Sequence, residues 1–104
     1  MDLKRLLQFL QFWKEKGLGN FEITYCHETE FLSISKNGYG SPGGIPGVPQ
    51  YVEKIIVKCC HEHGKQYRWL DWFDSVVLST NLTVEELISC ISEKIDRLGG
   101  DHDA

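Results

Sequence analysis

The chain has no long hydrophobic run. Its opening, MDLKRLLQFLQFWKEKG, is broken by Asp2, Lys4 and Arg5 and carries no small-residue cleavage site. It is too short and too patterned for a membrane span or a secretory leader, so the expected location is cytoplasmic and no membrane partner is expected. A basic excess is missing too: 11 Lys and Arg stand against 15 Asp and Glu, for a net charge of −4. Lys4-Arg5, Lys14, Lys16, Lys54 and Lys58 are scattered, which leaves nothing to track a phosphate backbone and excludes nucleic acid as an expected partner. No C-x-x-C pair supplies a zinc chelate. No Gly-Lys-Ser/Thr follows a glycine-rich loop, as a phosphate cradle requires. The four cysteines, Cys26, Cys59, Cys60 and Cys90, read as thiols in an intracellular chain. The sequon Asn81-Leu82-Thr83 is then coincidental.

What is present fits one domain, residues 1–104, with one core: 41% of the chain is hydrophobic and 25% charged. Leu3, Leu6, Leu7, Leu10 and Trp13 recur at helical spacing behind an N-cap, Asp2. Phe9 and Phe12 widen that stripe beyond what one sheet face needs, and Gly17 and Gly19 end it. A second helix is announced by the capping box Thr83-x-x-Glu86 and the staple positions Leu82 and Leu87. Its stripe is Val84, Leu87, Ile88, Ile91, Ile95 and Leu98, and Gly99-Gly100 is expected to end it, with 99–104 a frayed tail.

Between the helices the pattern reads as strands. Phe21, Ile23 and Tyr25 alternate with polar residues; after a polar turn Leu32 and Ile34 do the same, up to Asn37-Gly38. Tyr51 to Leu78 reads as a second hairpin: an Ile/Val/Cys-rich strand, a turn at His61 to Lys65 with Gly64 at positive φ, and an aromatic strand apolar on both faces. The predicted fold is α+β, in the order α-β-β-β-β-α, with a four-stranded antiparallel sheet and N- and C-terminal helices packed on it. Helices on one face would leave aromatic residues on an open sheet face.

Residues 37–50, NGYGSPGGIPGVPQ, contain five glycines and all three prolines. Prolines stiffen the loop, and Tyr39, Ile45 and Val48 are apolar residues a spacer does not need, so the segment reads as a binding loop as readily as a crossover.

Three kinds of chemistry have candidate residues in the chain. Cys59-Cys60-His61-Glu62-His63, with Cys26-His27 in the other hairpin, has metal-ligating residue types, and His61 and His63 are the weak metal candidates; adjacent cysteines chelate poorly, and turn histidines are commonly just solvated. Cys59 or Cys60 beside a histidine could form a nucleophile pair, but strand neighbours point to opposite faces. Asp71 and Asp74 could serve as paired carboxylates, but they too fall on opposite faces. No catalytic residues, metal or cofactor are therefore assigned.

The leading expectation is a non-enzymatic protein-binding module using Tyr39, Ile45, Val48, Trp69, Trp72, Phe73, Phe9 and Phe12. An inhibitor of the phage anti-defence or toxin-immunity kind has this size and charge. A metal- or small-molecule-binding protein using the Cys59–His63 turn, or a non-catalytic subunit of a larger assembly, are the alternatives. A homodimer would also hide the aromatic excess.

Overall fold

The Asp2 carboxylate accepts the Arg5 amide at 2.9 Å and so opens helix α1, Leu3–Trp13. The fold is that of a computed structural model, which describes residues 1–36, 43–72 and 74–103, with Trp72 and 99–103 by backbone alone. Leu3, Leu6, Leu10 and Trp13 form the buried stripe of α1. A π-helical turn, Lys14–Leu18, follows, and Gly17 takes φ 83°, which stops the helix where the sequence predicts.

Strands β1 (Glu22–Cys26) and β2 (Phe31–Ser35) form the expected hairpin. Ile23, Tyr25, Leu32 and Ile34 are fully buried on one face. Next come a two-residue strand β3 (Gly44–Ile45), helix α2 (Tyr51–His63), strands β4 (Tyr67–Trp72) and β5 (Ser75–Thr83), and helix α3 (Val84–Asp103). The sheet has five antiparallel strands in the order β3-β2-β1-β5-β4. The α+β class and the terminal helices stand, while the strand count rises from four to five.

Three changes produce that count. Tyr51–His63, predicted as a strand, is a helix: Val52, Ile56, Cys59 and Cys60 are buried at i, i+4, i+7 and i+8, which is helical periodicity. Gly64 keeps its positive φ, 63°, but as the left-handed residue that ends α2, with the Lys65 amide donating to the Cys60 carbonyl at 2.8 Å. The aromatic run is two strands: Trp72 pairs with Ser75, so the chain turns back inside the stretch that looked apolar on both faces. Finally, Gly44–Ile45 adds an edge strand to β2 from within the glycine- and proline-rich segment.

All three helices lie on one side of the sheet. Their buried residues form a single core with Ile23, Tyr25, Leu32, Ile34, Leu78 and Leu82, whereas Glu22, Thr24, Ser33 and Ser35 on the other side stay at least partly exposed. The register slips between Glu22 and Thr24, where β5 carries extra residues. Buried Thr80 fills that irregularity: its hydroxyl donates to the Ile23 carbonyl at 2.7 Å and accepts the Leu82 amide at 3.1 Å.

Helix α3 begins at the predicted capping box and continues through Gly99 and Gly100 rather than ending there. Its first turn is fixed from outside as well. The Val84 amide donates to the Phe21 carbonyl at 2.9 Å and the Glu85 amide to the Gly19 carbonyl at 3.0 Å. A Cβ at Gly19 would come within 2.8 Å of Glu85 Cγ, so a larger residue there would push that exposed side chain aside.

Candidate functional site

The residues predicted to bind a partner separate into two places. Phe9 and Phe12, one turn apart on α1, are 37% and 53% exposed. They rim a groove of about 470 Å³ between α1 and the β3 edge, with Trp13, Gly44 and Ile45 along it. The apolar stripe of α1 is too wide to bury: Leu6 and Leu10 point into the core, and the two phenylalanines are left at its margin. Cations cover their rings. The Arg5 guanidinium lies 5.9 Å from the Phe9 centroid, and Lys16 Nζ lies 5.3 Å from that of Phe12. Residues 2–16 carry Lys4, Arg5, Lys14 and Lys16 against Asp2 and Glu15, a local positive balance on an acidic protein.

At the opposite edge, Trp69 and Leu70 on β4 are 48% and 38% exposed. Four strand spacings lie between β3 and β4, about 19 Å. Trp69 pairs with buried Leu78 and so stands on the helix side, while Leu70 pairs with Val77 on the open side. On that open side the register aligns Phe31, Cys26, Val77 and Leu70 in one row across four strands. Sequence reading did not single out Phe31, whose ring folds over the backbone of Gly44 where a Cβ would clash.

Ile45 and Val48 are core residues. The Tyr25 hydroxyl, inside the core, donates to the Val48 carbonyl at 2.7 Å and ties the segment down. Burial, with Glu30 and Glu53 adding to it, pushes the Tyr25 pKa up to about 12. Tyr39 and Phe73 lie outside the described residues, as does the side chain of Trp72.

The histidines and cysteines do not assemble as the two-hairpin reading required. His27 pairs with Glu53 in the first turn of α2, 3.0 Å away, and Gln50 donates to the His27 carbonyl at 3.2 Å. His61 and His63 are in the last turn of that helix, about 12 Å further along it. They diverge there: His61 meets the Tyr67 hydroxyl at 3.1 Å, whereas His63 lies 3.7 Å from the Glu86 carboxylate.

The reading of four thiols is corrected. Cys59 of α2 and Cys90 of α3 form a disulfide, with Cα atoms 6.2 Å apart, leaving Cys26 and Cys60 free. Helical geometry explains the difference. On a strand Cys59 would alternate with its neighbours, but on a helix it shares a face with His63, toward α3. Cys60 is fully buried, and burial followed by the nearby Glu86 charge pushes its thiol up to about 11. It is therefore protonated at neutral pH and unsuited to nucleophilic work. Asp71 and Asp74 are both exposed, one on β4 and the other in the turn after it.

Among the described residues, no helix is long and apolar enough to cross a membrane. Comparison with protein-family models, with curated proteins and with solved structures gives no match in any of the three.

Proposed function

We propose that the protein is a protein-binding module and that the groove between α1 and β3 receives an extended, acidic segment of its partner. The observation that carries this reading is the exposure of Phe9 and Phe12 beside a groove floored by Ile45. Large aromatic side chains left half in water at the rim of an apolar depression are the usual anchors of an interface. Arg5 and Lys16 stand over both rings, so carboxylates flanking an apolar anchor complete the match. Among the described residues β3 is the edge of the sheet, and an edge strand is where an extended segment can add itself. Inhibition of the partner by covering its working surface needs nothing beyond such binding.

A pull-down from the native host, run in parallel with wild type, Phe12→Asp and Leu70→Asp, tests the assignment. A partner retained by Leu70→Asp, lost with Phe12→Asp and weakened by added salt is expected. Equal recovery by Phe12→Asp, or no partner at physiological salt, would remove the groove as the site. Light scattering adds the remaining alternative. A mass of twice 12.0 kDa that falls to one chain with Phe12→Asp would make the occupant a second copy.

A further inference from the structure

Two helices present matching pairs of ligand-type residues. On α2, Cys59 and His63 are one turn apart; on α3, Glu86 and Cys90 are one turn apart. The helices pack so that a donor atom from each of Cys59, His63 and Cys90 lies within 4.8 Å of the others. Tetrahedral zinc with two thiolates sets its sulfurs about 3.7 Å apart, a separation these two side chains reach once the bond between them opens. Each sulfur also has an acceptor that serves a thiol and not a disulfide. The Glu86 carbonyl oxygen is 3.6 Å from Cys59 Sγ, and the Glu62 carboxylate is 3.7 Å from Cys90 Sγ.

The disulfide is approached from outside through Cys90, which is partly exposed, whereas Cys59 is buried. A cleft of about 230 Å³ opens over Cys59 and Cys90, with Ile55 and Leu98 as apolar walls and charges of both signs at its margin: Lys58, Lys94 and Arg97 with Glu62 and Glu93. His63 is not part of the cleft lining and is exposed. The Glu86 carboxylate lies 3.7 Å from its Nδ1 and 3.4 Å from Lys65 Nζ.

We infer that Cys59, Cys90 and His63 form a redox-gated site for a divalent ion of the zinc class, closed as the disulfide and opened by reduction. A dithiol reductant entering the cleft passes two electrons to the S–S bond. The reductant's two protons go with them, so the S–S bond becomes the Cys59 and Cys90 thiols while the reductant closes its own disulfide, with no net proton taken from solvent. Zinc(II) then binds both sulfurs and the imidazole, the two thiol protons leave to solvent, and no electron moves in that step. Three protein ligands leave a fourth position for water.

The test uses the full chain with cobalt(II) as the spectroscopic probe. The protein is reduced with a phosphine, freed of it, and titrated in parallel with the oxidised form. Reduced protein should take up one cobalt per chain, with thiolate-to-cobalt charge transfer and tetrahedral visible bands, all displaced by zinc. Oxidised protein should show neither. Cys90→Ser and His63→Gln should each weaken binding at least tenfold, whereas His61→Gln should leave it unchanged. Circular dichroism of each variant before titration separates lost ligation from lost folding. Absence of tetrahedral bands in folded, reduced protein would overturn the inference. So would equal losses from His61→Gln and His63→Gln, or full binding by oxidised protein.

Discussion

The Thr83 and Glu86 side chains cap each other's backbone. The Thr83 amide donates to Glu86 Oε1 at 2.9 Å, and the Glu86 amide donates to Thr83 Oγ1 at 3.3 Å. Leu82 and Leu87 on either side of the cap are fully buried, as a staple requires. Thr83→Ala should therefore cost about 1 kcal/mol, and Leu87→Ala about 2–5 kcal/mol through the cavity it leaves. Leu98, in the same stripe but 55% exposed, should tolerate Ala within about 0.5 kcal/mol. Denaturant melts of the three variants check this order. Leu87→Ala melting with wild type would undo the packing of α3.

Tyr25 reaches from β1 to the Val48 carbonyl, and the Val48 amide donates back to the Glu30 carbonyl at 2.9 Å. Tyr25→Phe should cost about 1–2 kcal/mol, because the buried carbonyl loses its donor. Tyr67→Phe, which removes only an exposed contact with His61, should be close to neutral. Equal effects of the two in urea melts would mean the segment around Val48 is not held by this bond.

Glu28 clasps the Val76 amide with both carboxylate oxygens, at 3.3 and 3.2 Å. Hydrogen bonds from its own amide, then from that of Val76, hold its pKa below the ordinary 4.5. A carboxyl whose pKa is lower in the folded state adds stability that is complete above 4.5 and disappears as pH falls through the folded value. Glu28→Gln should lower stability by a constant amount above pH 4.5 and flatten the fall below it, so that the two curves converge in acid. Melting temperatures of the two proteins across that range, if they fall in parallel, would show that the clasp carries no charge-dependent stability.

The cysteines should count out in steps. Native, oxidised protein should react through Cys26 alone, because Cys60 is buried and protonated. Unfolding should raise the count to two, and reduction to four. Two reactive thiols in the folded state would contradict the burial of Cys60, and four without reductant would contradict the disulfide. Cys59 and Cys90 are 31 residues apart, so metal-free reduction should cost roughly 3–4 kcal/mol by loop entropy.

Local patterns carried much of the fold. Asp2 and Thr83 as caps, the Leu82–Leu87 staple, the stripe of α1, that of α3 as far as Ile95 and the alternation of β1 and β2 are all short-range, and the structure keeps each of them, while Leu98 at the end of the α3 stripe is exposed. Sequence alone determined these because a cap, a staple or a one-sided strand is set by neighbours within a few residues.

The segment Tyr51–His63 was legible but misread. Its Ile and Val favour a strand by type, yet Val52, Ile56, Cys59 and Cys60 are at helical spacing, with Pro49 just ahead of the helix and Gly64 just after it. Packing against α3 and β5 decided the matter, since burial on a common face outweighs the small β-preference of those side chains. The reversal between Trp72 and Ser75 was hidden because no glycine or proline marks it in the sequence.

The sites depended most on tertiary structure. That Phe12 and Trp69 belong to opposite edges follows from strand order, which no local pattern encodes. That Cys59 meets Cys90 and His63 follows from α2 being a helix and from the face it turns to α3. Residue types alone marked Cys59 and His63 as chemistry worth weighing. Which partners they reach was set by long-range packing, because contacts 31 residues apart form only when the core chooses which helix faces meet.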